Sequence, residues 1–234
     1  MKRLNLFAAS VAATVSVAPA MAQDGGVIEL SRDCEVELAY SAGTDHLREN
    51  AGVYAFGEDG YELVTPGSNG YVCMAVREAP NAVVPQCFDE LAQGTHVRVF
   101  LDEGEALRAG EAFADIRARR AERFESGHYH PVDGHGVVYM MSDFNLVNAS
   151  GNLLRVAPHV MFHAPGVSLD DVGTTTEVSL QNRGMPIVAS PGPMGYLVSF
   201  VDHGTGTDRV MAACEGELPD LSTYAPFPPA GAGE

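Results

Sequence analysis

The feature of this sequence that most constrains its fold is a set of four cysteines, Cys34, Cys73, Cys87 and Cys214. An even number of cysteines in an exported chain favours disulfide bonds over a metal site or a reactive thiol. No two of them have the C-x-x-C spacing of a zinc ribbon or a thioredoxin-like motif. Three pairings are possible, and sequence alone does not decide among them. We favour Cys73 with Cys87, which closes a short loop, and Cys34 with Cys214, which lie close to the two ends of the mature fold.

The first 22 residues have the pattern of a secretory signal peptide. Lys2 and Arg3 give a positive start, an apolar stretch follows, and residues 20–22 form an A-x-A cleavage site. The apolar stretch is shorter than the ~20 residues that a membrane-spanning helix needs. The sequence therefore predicts export to the periplasm or the medium, of the kind found in Gram-negative bacteria, and a mature chain that begins at Gln23. No cysteine follows the cleavage site, which argues against a lipid anchor.

The charge balance of the chain limits its partners. It has 234 residues, with 14 Lys and Arg against 31 Asp and Glu. The predicted signal peptide holds two of those cations and no acid, so the mature chain has 12 cations against 31 acids, a net charge of −19. Nucleic acid and anionic bilayers carry the same sign of charge, so we expect neither as a partner. Because Lys2 is the only lysine, the mature chain has no Schiff-base lysine, no pyridoxal phosphate anchor and no Walker A lysine.

The first part of the mature chain is predicted to form short strands. Residues 35–40 alternate polar and apolar, which predicts a half-buried strand. Residues 43–50 predict a short polar helix or turn. Residues 53–64 predict a β-hairpin around a Gly-Glu-Asp-Gly turn, and residues 71–77 predict a third strand. The short connections predict that these strands are antiparallel.

One helical stretch follows at about residues 102–125, and Gly110 is expected to divide it into two shorter helices. Four strand-like stretches come after it, at residues 137–141, 160–162, 185–189 and 196–201. Residues 219–234 are rich in Pro, Ala and Gly and predict a mobile tail. Strands, then a helix, then more strands predict a single α+β domain over residues 23–218. We expect it to consist mainly of an antiparallel sheet with the helical stretch packed on it.

Four arginines in the helical stretch allow two interpretations: Arg117, Arg119, Arg120 and Arg123. The cluster could bind an anion. The interpretation that we favour is a solvated face on which these arginines lie beside acidic neighbours. Those neighbours are Glu111, Asp115, Glu122 and Glu125.

Histidines supply the candidate metal ligands. On an extended segment His128 and His130 would point to the same face, about 7 Å apart, and could share one ion. Asp133 and His135 follow closely. With His159 completing the set, these residues could hold a divalent transition metal such as Zn or Fe. The alternative, which we favour, is a polar surface loop with unliganded imidazoles and no cofactor.

A second histidine pair lies on a predicted strand. His159 and His163 would share a face of that strand but lie roughly 13 Å apart, too far for one ion. We therefore expect a buried His159 whose ring donates to a backbone carbonyl. In the other hypothesis His159 meets the first histidine group across a sheet.

A set of short motifs lies between residues 40 and 175. They are Ala42-Gly43 with His46-Leu47-Arg48, Asn69-Gly70-Tyr71-Val72-Cys73, Pro85-Gln86-Cys87, Leu107-Arg108-Ala109-Gly110, Tyr139-Met140-Met141-Ser142, and the segment PHVMFHAP at 158–165. Together they resemble the pattern of a family of uncharacterised exported bacterial proteins. The chain departs from that pattern at His163, where an aromatic residue is expected, and in residues 128–135. The resemblance implies export and the Cys73–Cys87 disulfide, and it implies no activity.

Common catalytic signatures do not occur in the chain, among them G-x-S-x-G, H-E-x-x-H and G-x-G-x-x-G. The sequence therefore favours an exported protein of the cell envelope that acts as a non-catalytic binding or accessory domain. The alternative hypothesis is a metal-dependent hydrolase that uses the histidine cluster. Whether the protein is an enzyme, and what it binds, stays open at this point.

Overall fold

The computed structural model describes residues 26–149, 152–182 and 185–227. The predicted signal peptide and its cleavage site lie outside these residues. The described part has mixed α and β content, as predicted, with a large and mostly antiparallel sheet of short strands. None of its helices has the length and apolar character needed to cross a membrane.

The strands and helices are short and are numbered in chain order. The strands are β1 (Gly52–Gly57), β2 (Gly60–Thr65), β3 (Val72–Ala79), β4 (Ala82–Phe88), β5 (Val137–Met140), β6 (Leu146–Ala149), β7 (Asn152–Val156), β8 (His159–His163), β9 (Ile187–Ala189), β10 (Tyr196–Phe200) and β11 (Ala225–Phe227). The helices are α1 (Arg32–Tyr40), α2 (Asp45–Arg48), α3 (Glu90–Ala92), α4 (Arg98–Arg108), α5 (Phe113–Glu125), α6 (Thr176–Gln181) and α7 (Thr207–Ala213). A π-helical segment, Gln93–Val97, joins α3 to α4, and a 3-10 turn covers Leu221–Thr223.

Eight strands form the large sheet in the order β2-β1-β3-β4-β5-β8-β10-β9, and β11-β7-β6 form a small one. The predicted hairpin is confirmed, because β1 and β2 pair antiparallel. The prediction that β3 also pairs antiparallel with its neighbour β1 is wrong, since these two strands are parallel. The segment between β2 and β3 carries the chain back to the start of β1, where Gly52 donates its N–H to the carbonyl of Tyr71. A short connection of this kind does not predict the direction of pairing between β1 and β3, because β2 comes between them in the sequence.

The two faces of the large sheet carry different layers, because successive strand residues point to opposite sides. On one face Ala75 and Val83 pack against α1 and α7. On the other, the inner face, Met74, Phe88 and Met161 belong to the main hydrophobic core together with Phe100 of α4. The small sheet also packs on the inner face, through β6 against β3 and β4. Helices therefore cover one end of the inner face, and the small sheet covers the other end.

Residues 35–40 form part of helix α1, so the predicted strand is wrong. The side chain of Ser31 caps the helix by accepting a hydrogen bond from the N–H of Cys34, and an acidic first turn suits the positive end of the helix dipole. The buried positions are Cys34, Glu35, Leu38 and Ala39, which is helical spacing. The alternating pattern led to the wrong prediction because it placed Glu35 on a solvent-facing side. In the structure Glu35 is 1% exposed and pairs with the buried Arg77.

The helical stretch is confirmed, with the expected break at Gly110. Gly110 has φ +75°, a left-handed conformation that favours glycine, and it separates α4 from α5. The helical region begins earlier than residue 102, since α4 starts at Arg98 and continues the π-helical segment. The predicted short helix within residues 43–50 is also confirmed as α2, which Thr44 caps.

Both favoured disulfides are present in the structure. Cys34 is bonded to Cys214, which ties the start of α1 to the end of α7. Cys73 is bonded to Cys87 across the antiparallel β3–β4 pair, in which the two residues lie directly opposite each other. All four sulfur atoms belong to cysteines that are at most 4% exposed.

Part of the predicted tail belongs to the fold. Residues 225–227 form β11, which pairs in parallel with β7 of the small sheet, and Phe227 contacts the ring of Phe200. The composition of residues 219–234 did not indicate this strand, because its partner lies about seventy residues earlier in the chain. Residues 228–234 lie outside the described part.

Candidate functional site

Two cavities lie next to each other on the inner face of the large sheet. The first, the apolar cavity, has a volume of about 210 Å³ and lies between the large and small sheets. Its apolar walls include Met161, Val198 and Phe200 of the large sheet and Val147, Leu154 and Phe227 of the small sheet. Its polar lining residues are Glu78, His159 and Ser190. An apolar cavity with a few polar groups is the usual form of a small-molecule site.

The second, the polar cavity, has a volume of about 110 Å³ and lies beneath α5. Its polar lining residues include Gln86, Arg117, Arg120 and Tyr196. The two cavities share four lining residues, which are Glu78, Met140, Met161 and Ser190. They are therefore adjacent, with the Glu78 side chain at the border between an apolar and a polar compartment.

Strand alternation and register bring the lining residues together. Val198 of β10 lies opposite Met161 of β8, and Met140 of β5 lies opposite His159 on the other side of β8. These side chains share the inner face because paired residues in adjacent strands point to the same side. The small sheet covers this row without filling it, which leaves the apolar cavity.

Glu78 lies at a β-bulge, where the register of the β3–β4 pair shifts between Arg77 and Ala79. Its side chain points towards the inner face, as strand alternation along β3 requires, and Gln86 Nε2 donates to Glu78 Oε1 at 3.5 Å. Burial raises the pKa of Glu78 above its ordinary value, against the lowering influence of Arg120 and Arg117. The nearby arginines therefore do not fully offset the cost of removing the charged carboxyl group from water.

The hydroxyl of Tyr196 is a second uncompensated group. Tyr196 is 5% exposed, and its Oη atom has no hydrogen-bond partner among the described residues. Burial raises the pKa of Tyr196 well above its ordinary value, so the phenol is neutral. An unpaired buried hydroxyl costs about 1–3 kcal/mol, and a ligand that offers a donor or an acceptor here would recover that energy.

Ser190 contributes backbone strain at the rim that both cavities share. It has φ +50°, the only positive φ of a non-glycine residue in the described part of the chain, and Pro191 follows it. Strained backbone of this kind persists when the surroundings hold it, and it is typical of functional loops.

The arginines of α5 are mostly engaged in ion pairs. Arg120 makes a bidentate pair with Glu103, with N···O distances of 2.6 and 2.5 Å. Arg119 pairs with Glu111, one of the expected neighbours, and Arg123 pairs with Asp102 of α4 at 2.7 Å. The guanidinium group of Arg117 lies 5.4 Å from the centre of the Phe113 ring. For Arg119, the interpretation of a solvated face beside acidic neighbours was thus right. Arg120 and Arg123 instead pair with acidic residues of α4.

The candidate metal ligands do not form one site. His128, His130 and His135 are exposed, and the His128 ring lies 3.2 Å from the guanidinium of Arg98. His159 is 4% exposed and its Nδ1 lies 2.7 Å from the carbonyl oxygen of Ala157, which is the backbone contact that the sequence favours. Across the described ranges, no three His, Cys, Asp or Glu side chains are placed to bind a common metal ion.

A buried histidine cluster lies at the far end of the inner face. His163 Nε2 is 3.2 Å from Asp89 Oδ1, and the His96 ring is stacked 5.4 Å from the His163 ring. Gly136 permits this approach, because a Cβ atom there would lie 1.9 Å from Asp89 Oδ2. That oxygen accepts a hydrogen bond from the N–H of Val137 at 2.6 Å. The cluster therefore joins the N-cap of α3 to β5 and β8.

Sequence reasoning did not identify Glu78, Gln86, Tyr196 or the cluster around His96. A usable signal existed for Gln86, which interrupts an apolar strand at a position that points inward. A signal existed for Glu78 as well, because it lies two residues after Val76 and so continues the inward-pointing positions of β3.

We expect the protein to lose stability as the pH falls from 7 to 5. Burial lowers the pKa of His96 to about 3 and that of His159 to about 4, whereas both titrate near 6.5 in the unfolded chain. Between these values only the unfolded chain takes up the protons, so each histidine removes about 2 kcal/mol from the free energy of unfolding. Glu35 and Glu78 have raised pKa values and act in the opposite direction.

Urea unfolding at the two pH values measures this loss. In His159→Asn the amide can keep the bond to Ala157, and the loss should fall by about 2 kcal/mol. His203→Gln changes an exposed histidine and should retain the full loss. If the wild type and both variants lost the same free energy of unfolding between pH 7 and pH 5, His159 would not be a source of this pH dependence.

Comparison with family models, with curated proteins and with solved structures finds no match for this chain.

Proposed function

We propose that the protein is an exported binding domain of the bacterial cell envelope, which holds a small molecule with a mainly apolar body in the apolar cavity. The observation that carries the proposal is this cavity of about 210 Å³ between two sheets, bordered by a compartment with uncompensated polar groups. Close packing normally fills the interior of a domain, so space of this size lined by apolar side chains is typical of a ligand site.

The position of the cavity also supports binding. Its walls come from strands of two different sheets, so the ligand would be held by rigid elements. The two disulfides lie on the opposite face of the large sheet, where they stabilise the framework without entering the cavity.

A cavity-filling substitution tests the proposal. We expect N-phenyl-1-naphthylamine, a neutral apolar dye, to gain fluorescence on binding to the wild-type protein and to lose most of this gain in Ala189→Phe. Ala189 lines the apolar cavity, so the added ring would occupy it. Ala118→Phe places the same ring on an exposed position of α5 and should bind the dye as the wild type does. Equal dye binding by both variants, with unchanged circular dichroism, would refute the proposed site.

Export is the second part of the proposal, and two observations support it. The chain carries two buried disulfides, which persist in oxidising compartments. Its first 22 residues have the signal-peptide pattern.

We expect the protein purified from the periplasm or medium of a Gram-negative host to begin at Gln23, within one or two residues, by intact-mass spectrometry. A chain that keeps Met1 and remains in the cytoplasm would refute this part of the proposal.

A further inference from the structure

We propose that the ligand of the apolar cavity is an amine, whose ammonium group pairs with the carboxylate of Glu78. This inference rests on the proposed function and specifies the chemical class of the ligand.

Among the described residues, the apolar cavity is lined by one acidic side chain, that of Glu78, and by no basic side chain other than histidine. The other titratable lining residue is His159, which burial keeps neutral because its pKa is about 4. A molecule in this cavity would therefore meet a single acidic group, whose ionised form a nearby cation favours. A ligand cation placed against it would form a charge-assisted hydrogen bond in surroundings of low polarity.

The protein's own cations leave Glu78 without a direct partner. None of the ion pairs in the described ranges includes it. Arg120 is held by both oxygens of Glu103, and Arg117 lies over the Phe113 ring. Both arginines line the polar cavity and neither lines the apolar one. A half-buried carboxylate without a paired cation favours a ligand that supplies one.

The hydroxyl of Tyr196 provides an independent observation. It is buried, it has no hydrogen-bond partner within the described ranges, and its residue lines the polar cavity next to Glu78. An ammonium group has three N–H donors. One can bond to the Glu78 carboxylate and another to the Tyr196 oxygen, which satisfies both uncompensated groups together.

The net charge of the whole protein also favours a cationic ligand. A net charge of −17 attracts cations and repels anions over distances longer than a hydrogen bond. A carboxylic acid with the same apolar body would meet this field and the Glu78 carboxylate, so we expect it to bind more weakly than the amine.

Displacement of N-phenyl-1-naphthylamine by three matched compounds tests the inference. At pH 7 we expect n-hexylamine to displace the dye at a concentration about tenfold lower than 1-hexanol, and hexanoate to be the weakest. In Glu78→Gln the advantage of the amine over the alcohol should disappear, with hexanol unchanged. Glu122→Gln removes an exposed acid from α5 and should retain the full advantage.

The outcomes separate the two proposals. Displacement by amine and alcohol at the same concentration, or strongest displacement by hexanoate, would overturn the amine inference and leave the apolar site intact. Absence of dye binding to the wild type would overturn the proposed function itself. If Glu78→Gln does not fold, Tyr196→Phe serves instead, and it should weaken hexylamine several-fold without weakening hexanol. Equal affinity of Tyr196→Phe and wild type for hexylamine would then count against the inference.

Discussion

Arg77→Met is expected to lower the free energy of unfolding at pH 7 by about 3–5 kcal/mol, the usual result of leaving one buried charge without its partner. Arg77 and Glu35 are 2% and 1% exposed, and two guanidinium nitrogens of Arg77 donate to the two carboxylate oxygens of Glu35. The guanidinium also donates to the carbonyl groups of Ile28 and Ala75. Methionine fills similar space and makes none of these bonds.

The pH dependence identifies the cause. Burial already raises the pKa of Glu35, and Arg77 opposes that rise. Without Arg77 the pKa of this carboxyl group in the native state would rise further above its value in the unfolded chain. The destabilisation should therefore be largest at neutral pH and smaller at pH 5, where protonation removes the unpaired charge.

Two controls make this prediction specific. Arg32→Met breaks an exposed pair with Glu62, whose side chain is 58% exposed, and should change stability by less than about 1 kcal/mol. The double variant Glu35→Leu/Arg77→Met removes both charges and should be more stable than Arg77→Met alone. Urea unfolding measures these variants and the single variant Glu35→Leu. A double variant as unstable as the sum of its two single variants would contradict a paired buried charge.

Loss of the Cys34–Cys214 disulfide is expected to reduce the free energy of unfolding by about 5 kcal/mol, because the bond closes a loop of 180 residues and restricts the unfolded chain. The bond also joins α1 to α7 within a small buried cluster that includes Leu38 and Val210. Cys34→Ser and Cys214→Ser should each lose as much as the double variant, since either change opens the same loop.

The Cys73–Cys87 disulfide provides the comparison. Its loop spans 14 residues, so the entropic contribution should be about 3 kcal/mol, smaller than that of the long loop. Urea unfolding under oxidising conditions gives the free energies, and non-reducing peptide mapping should recover the two linked pairs. Recovery of Cys34 joined to Cys73 or to Cys87 would contradict the structure.

Several local features could be predicted correctly from the sequence. The turn between β1 and β2, the short helix α2 and the break at Gly110 each depend on residues within a few positions of one another. Loop length and the position of two cysteines near the chain ends favour the two disulfides that the structure contains. In these cases the chemistry of a short segment, or a simple count, decided the outcome.

Other features were decided by contacts between distant segments. The alternation in residues 35–40 predicts a strand, yet these residues belong to helix α1, in which Glu35 is buried against Arg77, 42 residues away. The parallel pairing of β1 with β3 depends on the edge position of β2. A periodic pattern shows which side chains are apolar, but it does not predict which partner a buried polar group will have.

The sequence by itself thus determined the strong negative charge, predicted the fold class and an export signal, and favoured the disulfide pairing that the structure contains. Only the tertiary structure decided that His128, His130 and His135 stay exposed and apart from His159, and that Glu78 and Tyr196 border neighbouring cavities. The physical reason is that cavities arise where sheets and helices fail to fill the space between them. That space depends on strand order and on the packing of β6, β7 and β11 on the large sheet, neither of which a local pattern encodes.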